Sequence, residues 1–298
     1  MEGVLAQIHI SAAVLTVAVA TLSLIERLCP AERGQSLRAT VLNLQVMASF
    51  VVMTPILMAL VAPMVGAVRR VLGGPLFVIG AEGPVPTLAA TLGYLLLFDL
   101  FYYWLHRVEH AWPVLWEEHK LHHSTPALNA TAAAQHWLDE PLKLVAITVP
   151  MGLLVTFEIN RTVLLGVALT FWGVFQHANT RIGLGPLTPV VAGPQFHRIH
   201  HSLKPEHTDR NFAFFFPVWD IVFGTYHRPK KGEWPATGLL SGEIPSGFWQ
   251  ANLWPFIGWW KMLRPSAVAR SVRLTSAYRK AAGPRGIVTP RPNSADWR

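Results

Sequence analysis

Residues 94–110 read YLLLFDLFYYWLHRVEH and lead an apolar run directly into two histidines, His106 and His110. Residues 87–105 are long and apolar enough to form a membrane-spanning helix, because about 20 residues cross the hydrocarbon layer. The aromatic side chains that end the run suit a membrane interface. We expect the helix to continue through both histidines, so the stretch predicts a histidine pair at the end of a span.

Two further histidine clusters share the spacing HxxHH. They read His119-Lys-Leu-His122-His123 and His197-Arg-Ile-His200-His201. Spacings of three and four residues place side chains on one helix face, so the first two histidines of each motif are predicted neighbours. The third is rotated by one residue, and the adjacent pair can therefore serve two different ions. Eight imidazoles exceed the four ligands of a tetrahedral zinc ion, which predicts two ions with open positions.

The composition indicates an integral membrane protein. The chain has 298 residues, of which 51% are hydrophobic and only 14% charged, against about 25% charged in soluble domains. The net charge of +8 fits attraction to anionic lipid headgroups, and no nucleic-acid motif is present. The single cysteine, Cys29, excludes a four-cysteine zinc site or an iron–sulfur cluster held by this chain alone. The ligands must therefore be His, Asp or Glu.

The apolar segments predict an all-α integral membrane protein of about four to five membrane helices with a histidine-lined helical cap. Residues 4–25 and 40–68 are further spans, and residues 142–157 and 162–176 form a short hairpin that crosses or re-enters the bilayer. Residues 247–262 are expected to lie at the interface. Three regions are predicted: an N-terminal hairpin and loop (1–86), a histidine-rich di-metal core that includes the short hairpin (87–230), and an interfacial segment with a basic tail (231–298).

The predicted spans put all three histidine clusters on one side of the membrane. That side also receives the loop with Arg27, Arg33 and Arg38, and the fifteen Lys or Arg residues from Arg198 onward. The other side receives mainly Arg69, Arg70 and Arg161. Because positive charge marks the cytoplasmic side, the histidine site is expected to be cytoplasmic.

The three clusters between apolar segments resemble the fatty acid hydroxylase/sterol desaturase superfamily of membrane di-iron enzymes. The resemblance covers roughly residues 90–230. It includes Trp219-Asp220-Ile-Val-Phe223-Gly224-Thr225-Tyr226, similar to the family's WDxxFGT(Y) segment, and His177-Ala-Asn179, similar to its HxN element. The resemblance implies two iron ions, O2 as co-substrate, and hydroxylation or desaturation of a lipid-type substrate such as a sterol or fatty acyl chain.

The resemblance also extends the candidate site. It adds His177 as a ninth ligand and His136 as a tenth, although the family's RxHPxE appears as Gln135-His136-Trp137-Leu-Asp-Glu140. Asn179, Glu140 and Asp220 are expected to orient ligands, with a helix-start role open for Glu140 and a backbone turn for Asp220. The predicted metal ligands are His106, His110, His119, His122, His123, His136, His177, His197, His200 and His201.

Other predictions stay open at this stage. His9 is expected to be structural, His207 solvent-facing or substrate-contacting, and His227 supporting or structural. Without a fused redox domain, electrons are expected from an external ferredoxin or cytochrome b5-like donor with its reductase. Zinc can occupy such ligands, so the alternative is a zinc-binding membrane protein, either a hydrolase or a metal transporter or storage protein. A transporter would need polar residues within the spans, where Asp99 is the clearest.

Overall fold

The computed structural model describes residues 2–78, 83–133, 135–156 and 159–264. One compact unit covers Met1–Phe256, and a second begins at Ile257. All the site contacts below lie within the first unit. The predicted basic tail from residue 265 onward lies outside the described residues.

Three helices in the described part are long and apolar enough to cross a membrane. They are α1 (Glu2–Leu28), α2 (Leu37–Val71) and α3 (Pro84–Ala111). Many of their large apolar side chains are exposed, as Leu24, Leu60 and Leu88 illustrate. Exposed apolar surface of this extent fits contact with lipid. The three predicted spans, and the continuation of the third through His106 and His110, are thus confirmed.

The turn after α3 starts the next helix at once. Trp112 has an extended backbone (φ −101°, ψ 117°), as expected of a residue before proline, and α4 (Pro113–His123) begins with Pro113 in its first turn. Proline suits this position because its missing N–H would have no partner in the helix. The reversal packs α4 against α3, which brings the first two histidine clusters together.

The region of the predicted hairpin is helical but interrupted. Residues 139–154 run as α5 (Asp139–Lys143), one π-helical turn (Leu144–Thr148) and α6 (Val149–Leu154), and α7 (Ile159–His177) follows. Between them β2 (Val155–Thr156) pairs in parallel with β1 (Phe77–Val78). The strand Phe77–Val78 lies in the loop of the predicted N-terminal region (1–86) and was not predicted from the sequence.

Apolar packing holds α7 and the histidine region against α1. Ala18, Val19 and Leu22 of α1 form one buried cluster with Val174 and with Ala130 in the 3₁₀ turn Ala130–Ala133. At the end of α1, the Glu26 carboxylate accepts the backbone N–H groups of Ala130 (2.6 Å) and Asn179 (2.7 Å). The connection from α1 to α2 therefore lies at the same end of the molecule as the histidines.

Three short helices complete the described fold. They are α8 (Pro194–His200), which carries most of the third histidine cluster and packs against α7, α9 (Val218–Val222), which packs against α3, and α10 (Phe248–Leu263). The last of these falls on the predicted interfacial segment.

Candidate metal centre

Five histidine rings from three helices form one group. His106 and His110 come from α3, His119 and His123 from α4, and His200 from α8, and one nitrogen of each lies within 4.8 Å of the others. His123 Nε2 is 3.1 Å from His110 Nε2 and 3.2 Å from both His119 Nε2 and His200 Nε2. This five-histidine group joins residues from all three sequence clusters.

Four other rings form a second group beside it. This four-histidine group consists of His122, His177, His197 and His201. His177 Nε2, at the end of α7, is 3.1 Å from His122 Nε2 and 2.9 Å from His197 Nε2, and the latter is 3.0 Å from His201 Nε2. The two groups together hold nine of the ten predicted ligands.

The adjacent histidines of each HxxHH motif divide between the groups, as predicted. The pairing within each motif differs from the prediction, however, because the first histidine shares a group with the third and not with the second. A spacing of four residues rotates a side chain by about 40° around the helix and a spacing of three by about 60° in the opposite sense. His119 and His123 are therefore better aligned than His119 and His122.

Backbone carbonyls fix the orientation of three rings. Nδ1 of His106 lies 2.8 Å from Phe212 O, Nδ1 of His177 lies 2.6 Å from Gly173 O, and Nδ1 of His200 lies 2.9 Å from Arg210 O. A carbonyl can only accept, so each Nδ1 carries the proton and each Nε2 presents a lone pair. His106 Nε2 is buried and has no hydrogen-bond partner. A metal cation would satisfy this inward-facing nitrogen, so the donor set fits a metal.

Burial keeps the rings neutral. Loss of solvent around the rings is the largest cause that lowers the pKa of six histidines well below the ordinary value for histidine, and the neighbouring imidazoles lower it further. The six are His119, His122, His123, His197, His200 and His201. Neutral imidazole is the form that binds metal ions.

Two carboxylates contact rings of the five-histidine group, and neither was singled out as a supporting residue from the sequence. Glu109 Oε2 lies 3.3 Å from His119 Nδ1, and Asp209 Oδ1 lies 3.4 Å from His110 Nδ1. Carboxylates at this position orient metal-binding imidazoles. Glu109 immediately precedes His110, and that position in the HxxxH motif was the available signal.

Asp220 holds the backbone behind His106. Its carboxylate accepts the N–H groups of Phe212 and Ala213, both at 2.8 Å, and the hydroxyl of Thr225 at 2.6 Å. The carbonyl of Phe212 is the one that contacts His106. Asp220 therefore positions the His106 ring through this turn, and its role in orienting a metal ligand stays a prediction.

Asp99 performs a similar task from within α3. Its carboxylate accepts the backbone N–H groups of Phe214 (2.7 Å), Phe215 (3.0 Å) and Phe216. The acidic residue of the third span thus holds the segment that follows Phe212. A polar residue in a span needs such a partner, because an unpaired charge in an apolar environment is costly.

The structure does not bring three predicted site residues to the rings. His136 contacts Asn252 O through Nε2 (2.9 Å) and accepts the N–H of Leu138 at Nδ1 (3.2 Å). Glu140 contacts Lys143, and Asn179 exchanges two hydrogen bonds with the backbone of Glu32. His136 belongs to neither histidine group, so its role as a metal ligand stays a prediction. Asn179 fixes the α1–α2 connection and does not contact a ring through these bonds.

His207 and His227 also lie outside both groups. The side chain of His207 is 1% exposed, so the expectation that it faces solvent is wrong. Its loop composition suggested exposure, but the 3₁₀ turn Pro205–His207 directs the ring inward.

Comparison with known proteins agrees with the resemblance in the sequence. Residues 91–225 match the family model described as fatty acid hydroxylase. The chain is 30% identical to an alkylglycerol monooxygenase of Danio rerio over 131 residues, which is 43% of this chain and 28% of that protein. It is 28% identical to the ornithine lipid hydroxylase OlsE of Rhizobium tropici over 163 residues, or 54% of this chain and 49% of that protein.

A third relative is methylsterol monooxygenase 1-3 of Arabidopsis thaliana, 27% identical over 158 residues, with 48% of this chain and 50% of that protein covered. The matched segments thus span half or less of each of these relatives. No solved structure matches the chain.

Proposed function

We propose that this chain, which carries a fatty acid hydroxylase domain over residues 91–225, is a membrane-bound di-iron oxygenase. It would use O2 and electrons from an external donor to hydroxylate or desaturate a lipid-type substrate. The three named relatives are a monooxygenase of alkylglycerols, a hydroxylase of ornithine lipids and a monooxygenase of methylsterols. A lipid substrate is what these names have in common.

The observation that carries the proposal is the division of nine imidazoles, eight of them buried, into two adjacent groups. The five nitrogens of one group would hold one ion, and the four nitrogens of the other group would hold a second ion. Iron bound there would supply the redox chemistry that O2-dependent oxidation of a C–H bond requires. The ligands themselves do not decide between iron and zinc, because site geometry and metal supply determine occupancy.

The alternative of a zinc transporter or zinc hydrolase finds less support. Asp99 was the candidate for a polar path through the spans, and its oxygens are occupied by three backbone N–H groups. In a zinc hydrolase with HExxH, the glutamate follows the first histidine and acts as the base. Here Glu109 contacts the Nδ1 edge of His119, which suits orientation of the ring.

The surroundings of the rings are suited to an apolar substrate. Tyr102, Ile147 and Met151 form a buried apolar cluster next to the five-histidine group, and the rings of Tyr102 and His106 are 5.4 Å apart. On the other side, a small cavity beside His122 is lined by the apolar side chains of Leu42, Val46, Leu121 and Ala132 and by the polar side chains of Asn43, Ser124 and Thr125. We propose that this cavity receives the carbon to be oxidised, while the buried packing keeps water from the rings.

We further propose that the histidines face the cytoplasm. The carboxylate of Glu26, at the end of α1, accepts the backbone N–H groups of Ala130 and Asn179. The loop with Arg33 and Arg38 therefore lies at the end of the spans that carries the histidines. Clustered positive charge near span ends favours the cytoplasmic side. Labelling of a cysteine introduced at Arg33 in right-side-out membranes tests the orientation, because labelling by an impermeant reagent would contradict it.

Exposed basic residues near the site suit an acidic electron donor. Lys230 and Lys231 are exposed and follow the family segment that ends at Tyr226. Complementary charge raises association rates most strongly at low salt. Replacing both lysines by glutamine should slow reduction by a ferredoxin at low ionic strength, and an unchanged rate would exclude these two residues from docking.

Isotope-labelled product analysis tests the reaction. Iron-loaded protein in lipid nanodiscs, a reductase system and 18O2 should yield a host-lipid product with one 18O atom, or a product that has lost two hydrogens if the reaction is desaturation. His122→Ala should abolish the product, whereas His9→Ala, at an exposed position of α1, should retain it. The absence of either product from iron-loaded protein would contradict the proposal.

A further inference from the structure

A third group of ligand-type side chains lies apart from the nine histidines. His207, His227 and Glu233 each direct one ligand atom to a common point, with all three atoms within 4.8 Å of one another. His207 Nε2 is 3.4 Å from Glu233 Oε1, and His227 Nε2 is 3.8 Å from Glu233 Oε2. The two imidazole rings are 4.5 Å apart.

Both nitrogen–oxygen separations exceed the usual range for N–H···O bonds, which ends near 3.2 Å. Ligand atoms about 2.0–2.2 Å from a tetrahedral zinc ion lie roughly 3.3–3.6 Å from each other. The 3.4 Å separation suits two ligands of a shared zinc ion, and the 3.8 Å separation exceeds that range by a few tenths of an ångström, which a small side-chain rotation would close. His207 Nε2 and His227 Nε2 are buried atoms without a hydrogen-bond partner. The two nitrogens face the Glu233 carboxylate, whose Oε2 also accepts the backbone N–H of Lys230 at 3.0 Å.

Side chains outside the cluster contact the ring of His207 and hold the backbone at His227 and Glu233. His207 Nδ1 contacts Ser202 Oγ at 2.9 Å. Asn211 accepts the N–H of His227 at 2.7 Å and donates to its carbonyl at 3.1 Å. Gln195 donates to the carbonyl of Glu233 at 3.1 Å. The geometry is therefore fixed by groups outside the cluster, as in a preformed ligand site.

The group is closed on one side and open on the other. The side chain of His207 is 1% exposed, while those of Glu233 and His227 are 11% and 23% exposed. Lys204 Nζ lies 3.3 Å from Glu233 Oε1, but its side chain is 46% exposed and can turn toward solvent. An ion could thus enter from the side of His227 and displace the ammonium group.

We propose that His207, His227 and Glu233 form an additional metal site that takes Zn²⁺ or a similar divalent transition-metal ion. Two imidazoles and one carboxylate are a common zinc donor set that leaves a fourth position open. The bound ion would connect the turn that follows α8 to the loop after Tyr226. The site shares no residue with the two histidine groups and does not depend on the reaction proposed for them.

Metal counting on matched variants tests the site. The full-length protein in detergent is incubated with excess zinc, desalted through a weak chelator, and analysed by mass spectrometry for zinc and iron per chain. His227→Ala and Glu233→Gln are preferred to changes at His207 because both positions are partly exposed. His9→Ala serves as the control, and thermal unfolding shows that each variant is folded.

The wild type and His9→Ala should retain one more zinc ion per folded chain than either site variant. Zinc should also raise the melting temperature of the wild type and have a smaller effect on His227→Ala. Equal metal content in the wild type and both site variants would overturn the proposal, because an ion pair among these groups needs no metal. Loss of zinc in His9→Ala as well would also overturn it.

Discussion

At the residue scale, the carboxyl group of Glu109 contacts one ring of the five-histidine group, that of His119. Its Oε2 lies 3.3 Å from His119 Nδ1, a contact that is not a hydrogen bond, and a carboxyl group at this position is expected to orient the ring when Nε2 binds a metal. Loss of such a partner typically weakens metal binding by about 10–100-fold. We therefore expect Glu109→Gln to lose metal from the five-histidine group faster than the wild type in a chelator competition assay.

Glu140→Gln is the matched control for this prediction. Glu140 was expected from the sequence to orient a ring, but it contacts Lys143 at 3.2 Å. The same carboxyl-to-carboxamide change is made without a contact to any histidine, so metal release should remain at the wild-type rate. Equal acceleration in both variants would show that the effect arises from net charge and not from the contact with His119.

Asp220 offers a second prediction at this scale. In Asp220→Asn, a carboxamide with one acceptor oxygen would face the N–H groups of Phe212 and Ala213. An unpaired buried donor costs about 1–3 kcal/mol, so the melting temperature should fall and metal should be lost with it. Glu243→Gln makes the corresponding change on an exposed side chain away from the histidines and should shift the melting temperature far less. Equal shifts would contradict the role of Asp220.

The sequence located the clustered histidines better than the residues that contact them. Histidines that recur at helical spacing can be recognised within one segment. The partners of their Nδ1 atoms are backbone carbonyls of Phe212, Gly173 and Arg210. Carbonyls carry no residue-type signal, and Phe212 is far from His106 in the chain, so only the fold identifies them.

At the scale of elements, α2 and α4 pack against each other through Val46 and Leu121, and both side chains line the small cavity beside His122. Val46 lines the cavity beside His122 and packs with Leu121 and Trp254. Val46→Phe should fill the cavity, at a cost of about 1–3 kcal/mol in overpacking, and lower kcat/KM for the lipid substrate while iron content stays unchanged. Val52→Phe, at an exposed position on the same helix, should leave kcat/KM unchanged. Equal kcat/KM in the two variants would exclude this cavity as the substrate site.

Helices with continuous apolar patterns could be predicted, and the interrupted ones could not. The run from Tyr94 into His110 forms α3 as expected. The π-helical turn Leu144–Thr148 and the pairing of Phe77–Val78 with Val155–Thr156 depend on contacts between segments far apart in the chain. Such contacts leave no periodic signal in either segment.

For the whole molecule, the buried rings make stability depend on pH. The pKa values of His119, His122, His123, His197, His200 and His201 are lowered in the folded state, whereas histidine in an unfolded chain titrates near 6.5. The unfolded state therefore binds more protons as pH falls below about 6.5, and the stability from neutral rings is lost there. Protons also compete with metal at the same nitrogens.

The melting temperature and metal content should be constant from pH 8 to 7 and fall together below about pH 6.5. Thermal unfolding and metal analysis across this range, with chelator present, give the measurement. A variant with fewer buried rings, such as His122→Ala, should show a shallower dependence. A melting temperature that rises on acidification would contradict the neutral state of the rings.

The most direct test of the central claim is the iron content of protein purified from iron-supplemented cells. The claim is that nine histidines hold two ions, one in each group. We expect two iron atoms per folded chain, about one in His122→Ala or His200→Ala, which lie in different groups, and none in the double variant. Fewer than one iron or zinc ion per chain in folded wild-type protein, or unchanged content in both single variants, would contradict the account.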